Sequence, residues 1–274
     1  MPALILVRGG GDLASGVALR LHRAGLNVVI TEIPQPLAVR RTVSFAAAIY
    51  ENQVMVEDVT ARMVNDPADT LKIINVLSKQ HIPVLVDPIC SAARTLNPLA
   101  IVDGRMLKRP PEALSHRALL YIGLGPGFTA PLNCHAVIET QRGHMLGRLI
   151  WEGSTLNDTA KPEGDPRRVL RAPQNGVIVN RKNIGDHCEP GELIAEIQSD
   201  LEDQKSEILS PFKGVLRGLV HSGLAVTRDM KIGDVDPRDD PRLCQFVSDK
   251  ALAIGGGVME ALLTRPEVRN RLWT

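Results

Sequence analysis

The sequence predicts an α/β protein that carries a smaller all-β module and a terminal helix, on three observations. Residues 4–16 pass from an apolar run into Gly9-Gly10-Gly11 and then into a helical pattern. Apolar runs of strand length alternate with helical stretches through the first 150 residues. Beyond them, short strands bounded by proline and glycine repeat at an offset of 38 residues.

The first element is the strand Leu4-Ile-Leu-Val, and the helix after it places Ala14, Val17, Ala18 and Leu21 on one face. Read from Gly9, the turn is G-x-G-x-x-A, a variant of the dinucleotide-binding fingerprint. Gly9 permits the tight turn, Gly11 lets backbone approach a phosphate, and Ala14 lets the helix pack closely on its strand. The helix start then offers N–H groups and partial positive charge to an anion. A second strand, Asn27 to Glu32, ends on an acid 23 residues past Gly9, where a ribose-binding carboxylate is expected. A break at Pro34-Gln-Pro36 precedes Arg40-Arg41 and a short helical stretch, Ser44 to Tyr50. Gln53 to Val59 reads as one strand, and Ala68 to Lys79 as a helix capped by Asp66. His81 to Asp87, Pro98 to Asp103 and Ala118 to Gly123 are further strands, and Ala136 to Thr140 forms a hairpin with Met145 to Trp151. This βαβα order implies a Rossmann-like, mostly parallel sheet covered on both faces.

Composition limits the classes of function. The 274 residues carry 32 basic and 31 acidic side chains, interspersed, which argues against nucleic acid or a membrane surface as partner. No apolar run is long enough to span a bilayer and no signal-peptide pattern opens the chain, so a cytoplasmic location is expected. Cys90, Cys134, Cys188 and Cys244 form no C-x-x-C pair, which points to free thiols.

Ligands on parallel sheets bind beyond the carboxyl ends of the strands. The candidate cofactor-binding set there is Gly9, Gly10, Gly11, Asp12, Leu13, Ala14, Ser15 and Glu32, joined by a second glycine turn at Gly123, Gly125 and Gly127. Arg40 and Arg41 could grip a terminal or 2′-phosphate and Lys108 a pyrophosphate, against the alternative of solvated surface cations. Cys90 follows a strand end and is the candidate catalytic thiol, set against the ordinary role of cysteine as a small buried hydrophobe. His135 and Glu139 fall on one strand face but lack a third ligand, so no metal site is expected.

In the repeat, Ala172-Pro-Gln-Asn-Gly176-Val-Ile178 answers Ser210-Pro-Phe-Lys-Gly214-Val-Leu216, Gly185 answers Gly223, and Leu193–Ile197 answers Lys231–Val235. Two interlocking β halves with pseudo-twofold symmetry follow. The pattern resembles the biotinyl/lipoyl barrel-sandwich hybrid, with Gly185-Asp186 and Gly191-Glu192 at the turn. The place of the carrier lysine is held by Asp203, with Lys205 two positions away, so neither biotin nor lipoate is expected. Gly255 to Gly257 interrupt a terminal helical pattern at a cost of about 1 kcal/mol each, implying close packing on the first domain or on a partner in a homo-oligomer. Expected boundaries are therefore 1–153 for the Rossmann-like domain, 154–168 for a linker or lid, 169–238 for the barrel-sandwich module and 239–274 for the helical tail.

Taken together, Arg8-Gly-Gly-Gly-Asp-Leu-Ala-Ser-Gly-Val-Ala, Thr31-Glu-Ile-Pro-Gln-Pro-Leu-Ala-Val-Arg-Arg, Gly123-Leu-Gly-Pro-Gly-Phe-Thr-Ala, Val137-Ile-Glu-Thr-Gln-Arg-Gly-His and Lys231-Ile-Gly-Asp-Val-Asp-Pro-Arg resemble the selenium-dependent molybdenum hydroxylase accessory proteins. The resemblance implies a maturation factor that binds a nucleotide-like ligand, such as molybdopterin cytosine dinucleotide or NAD(P), and partners a molybdenum hydroxylase. The alternatives are an NAD(P)-dependent oxidoreductase and a non-enzymatic scaffold with a vestigial nucleotide fold.

Overall fold

A computed structural model describes residues 3–114, 116, 118–157, 164–199 and 205–274. The chain divides into two compact units, one of Met1–Pro36, Ser44–Thr159 and Val247–Thr274, the other of Leu37–Val43 and Ala160–Phe246.

The first unit begins with β1 (Leu4–Arg8), α1 (Asp12–Arg23) and β2 (Asn27–Glu32). After 3-10 turns come α2 (Ala48–Glu51), β3 (Gln53–Val56), β4 (Val59–Val64), α3 (Thr70–Ser78) and β5 (Ile82–Val86). It continues through α4 (Ala93–Leu96), β6 (Ala100–Asp103), β7 (Leu120–Leu124), β8 (Thr129–Ala130), β9 (Ala136–Ile138), β10 (Leu149–Ile150) and β11 (Gly153–Ser154). One nine-stranded sheet has the order β10-β9-β7-β6-β1-β2-β5-β4-β3. Its strands pair in parallel from β9 through β4, and β10 and β3 close the two edges antiparallel. Ile5, Leu6 and Val7 of β1 and Val28, Val29 and Ile30 of β2 are wholly buried, as strands covered on both faces must be.

Two elements differ from their sequence reading. Residues 53–64 form a hairpin, with Glu57 at φ 55° in its two-residue turn, where a single strand was expected. The cap of α3 is Asp69, which accepts from Lys72 N at 2.9 Å, while Asp66 accepts from Ala68 N in the preceding turn.

The second unit contains β12 (Val169–Arg171), β13 (Gly176–Asn180), β14 (His187–Cys188), β15 (Leu193–Gln198), β16 (Lys205–Leu209), β17 (Gly214–Leu219), β18 (Ala225–Val226) and β19 (Lys231–Asp236). They make two four-stranded antiparallel sheets, β12-β19-β17-β14 and β16-β15-β13-β18. Adding the 38-residue offset turns β13, β14 and β15 into β17, β18 and β19, so each sheet takes strands from both halves of the repeat. The expected barrel-sandwich module is corrected here: among the described residues the strands form two separate sheets and no barrel closes. Asp203, at the carrier-lysine place, lies outside the described residues.

The tail returns to the first unit as α5 (Asp249–Thr264) and α6 (Pro266–Arg269). A Cβ on Gly16 of α1 would lie 2.5 Å from the Ala251 Cβ, and one on Gly257 would lie 2.1 Å from the Gly147 carbonyl oxygen. Small residues thus let α5 meet α1 and the loop before β10 at backbone distance. Among the described residues no helix is long and apolar enough to cross a membrane.

Candidate functional site

From β1 the chain proceeds to β2 on one side, whereas β6 and β7 lie on the other, so the switch point among the parallel strands of this mixed sheet falls between β1 and β6. Arg8 ends β1 and Asp103 ends β6, paired in register across that point and almost fully buried. Arg8 Nη1 donates to Asp103 Oδ2 at 3.1 Å and Arg8 Nη2 to Glu112 Oε1 at 2.6 Å. Arg105 donates to both Asp103 oxygens, at 2.9 and 2.7 Å, and to Glu112 at 2.8 Å. Tyr121 Oη donates to Asp103 Oδ2 at 2.8 Å. Two guanidinium groups and two carboxylates balance, which is how charge survives at a buried strand end. Burial alone would raise the Glu112 carboxyl, but the hydrogen bonds from Arg105 and Arg8 bring it down to about 2. Desolvation, reinforced by the Asp103 carboxylate, pushes the Tyr121 hydroxyl up and keeps it a donor. Sequence reading missed this cluster, since nothing in the sequence ties Arg8 to Asp103, 95 residues away.

The glycine turn lies against it. Gly9 has φ +86°, and the space of its absent Cβ is lined by Arg105, whose Cγ is 3.3 Å away. Ala14 meets Gly104, where a Cβ would come within 2.6 Å, so the third motif position is a packing position. Ser15 is buried, donating to the Gly10 carbonyl at 2.9 Å and accepting from Phe45 N at 2.8 Å. Ala46 N donates to Gly10 O at 2.9 Å, so this backbone segment closes the Gly10 side of the turn. Gly11 differs: a Cβ there would meet nothing within 4 Å. It is the N-cap of α1 with no side-chain cap, and Asp12 and Leu13 follow half-buried in the first helical turn. Glu32 accepts from Gly10 N at 2.8 Å and Ile33 N at 2.7 Å. Burial raises the Glu32 carboxyl against the pull of those two amides.

Cys90 sits at φ 60° in the loop after β5, packed with Leu6, Ala93 and Ile101. Burial pushes its thiol up to about 11 despite the nearby Arg8, so it carries its proton at neutral pH. Gly123 makes room for the Phe128 ring and Gly127 for the Leu107 and Arg109 carbonyls, while Gly125 turns at φ +86° beside Met106 and Thr140. Lys108 is exposed. Arg40 and Arg41 belong to the second unit, where Arg40 donates to the Leu243 and Phe246 carbonyls and Arg41 to that of Leu219. His135 Nδ1 accepts from Tyr121 N, and Glu139 accepts from the amides of Thr140, Gln141 and Leu156, each at 2.7 Å. Among the described residues no group of three or more His, Cys, Asp or Glu could hold a metal ion.

No family model matches the chain. It is 44% identical over 264 residues to the uncharacterized protein YqeB of Escherichia coli (strain K12), an alignment covering 95% of the chain and 47% of that protein. The chain therefore spans about half the length of this curated relative. Similar solved structures include an aspartoacylase family protein from Mesorhizobium loti, 8% identical with TM-score 0.28, covering 85% of this chain and 84% of that one. A succinylglutamate desuccinylase/aspartoacylase from Rhodobacter sphaeroides is 15% identical with TM-score 0.28, covering 85% of each chain. At those scores the likeness carries neither fold nor activity to this protein. The expected membership among selenium-dependent molybdenum hydroxylase accessory proteins is corrected: no family model matches the chain, and the relative it matches is an uncharacterized protein. The maturation role and the molybdenum hydroxylase partner fall with it, and the NAD(P)-dependent oxidoreductase finds no support.

Proposed function

We propose that the first unit binds a phosphate-bearing, nucleotide-like small molecule at the carboxyl edge of its parallel strands, with a phosphate on the amino end of α1. One observation carries this reading. Gly11 alone in the triple-glycine turn faces open space, at the uncapped start of a 12-residue helix. The amino end of a helix offers aligned N–H groups and partial positive charge to an anion. Arg105 flanks the turn, held in place by Asp103 and Glu112, and adds a fixed positive group. Glu32, anchored through both oxygens at the end of β2, retains lone pairs for sugar hydroxyls. The same carboxylate opposes an additional phosphate on that sugar by like-charge repulsion.

Isothermal titration with ADP tests the reading. Wild-type protein should bind, and Gly11→Val, whose side chain would fill the open approach, should bind at least tenfold more weakly while remaining folded. Equal affinity in the two proteins overturns the proposal.

A further inference from the structure

A cavity of about 400 Å³ lies far along the sheet from the switch point, between β4 and α3. Its polar lining is Asn52, Arg62, Asn65, Lys72, Asn75 and Lys79. Along α3 and its C-cap the contributors recur at i, i+3, i+4 and i+7 (Lys72, Asn75, Val76 and the cap residue Lys79), so one helical stripe faces the groove. Its Val76 packs into the core with Ile73, while the lysines and asparagine stay exposed. From the strand side come Arg62 and Asn65, and Asn52 is held at φ 62° with its carbonyl accepting from Met63 N at 2.8 Å. Three cations and three amides therefore line the groove, and no carboxylate is among its lining residues.

We propose that this groove is a second binding site, separate from the Gly11 turn, for a small molecule bearing phosphate or carboxylate groups. Three like charges around one concavity repel each other and focus positive potential in it, and an anion relieves that repulsion. Asparagine amides add donors and acceptors that a bare cationic surface lacks. His81 accepts from Arg62 Nε at 3.2 Å, and its imidazole pKa is lowered by burial and then by Arg62, Lys79 and His22.

His81 is therefore a built-in reporter. Its ring resonances are titrated by NMR in full-length protein, with inorganic pyrophosphate as probe and sodium chloride at matched ionic strength as control. Bound pyrophosphate should raise the His81 pKa by about half a unit or more beyond the chloride control. Lys72→Gln and Asn75→Asp touch neither His81 nor the Asp69 cap, which uses the Lys72 backbone, and each should weaken the response about tenfold. The response should persist in Gly11→Val, which separates this site from the switch-point edge. A shift no larger than that of chloride, or one unchanged in both groove variants, overturns the proposal.

Discussion

Valine at position 11 separates binding from folding because the three glycines of the turn have unlike surroundings. The Gly11 backbone, at φ −68° and ψ 177°, is extended and open to any residue, and its Cβ would have no neighbour within 4 Å. The structural cost is confined to a poorer N-cap, about 1 kcal/mol, or roughly 2–4 °C in Tm for a chain of this size. Loss of one charge-assisted amide contact to phosphate costs about 1.5–3 kcal/mol, or roughly 10- to 150-fold in Kd. Gly10→Ala is the contrasting variant. Its Cβ would lie 2.8 Å from Ala46 N, so it strains the fold through backbone packing. Calorimetric titration with ADP, paired with thermal melts, reads both quantities. Weak binding at near-wild-type Tm in Gly11→Val supports the account. Unchanged binding in Gly11→Val refutes it, because the N–H groups at the open corner would then have no part in holding the ligand.

Other expectations follow from the same packing. Asp103→Asn removes the carboxylate that accepts from Arg8, Arg105 and Tyr121, and should cost about 3–5 kcal/mol in urea unfolding. The folded Glu112 carboxyl lies at about 2, below its ordinary 4.5, so its stabilisation is complete above the ordinary value and is lost as pH falls toward 2. Glu112→Gln should flatten that acid limb in pH-dependent melts. With its thiol near 11, Cys90 should resist iodoacetamide at pH 7 in native protein and react once unfolded, as peptide mass spectrometry would record. In α5, Gly257→Ala collides with the Gly147 carbonyl and should cost about 1–3 kcal/mol, whereas Gly256→Ala meets nothing and should gain up to about 1 kcal/mol.

Much of the first unit was legible because its signals are local. The β1 strand, the glycine turn and Ala14 prescribe a strand–helix contact, and Gly104 supplies the complementary gap. The hairpin at 53–64 was not legible, since its Glu57-Asp58 turn lacks the Asn-Gly or Asp-Gly signal such turns usually carry. The Asp69 cap was hidden by an equally suitable Asp66 three residues earlier. In the second unit the 38-residue period identified corresponding strands, but closure depends on pairings between distant strands that a repeat does not determine. Spacing conveys only that Gly9, Gly10, Gly11 and Glu32 fall at the ends of β1 and β2. The Arg8–Asp103–Arg105–Glu112–Tyr121 cluster could not be read from it, because its members meet only when β1, β6 and β7 lie side by side.

Backbone amide shifts followed by ¹H–¹⁵N NMR during titration with ADP test the central claim most directly. The account predicts saturable shifts concentrated at Gly11, Asp12 and Leu13, with Glu32 and Ile33 following. No saturable change at those amides, or changes confined to other parts of the chain, would contradict it.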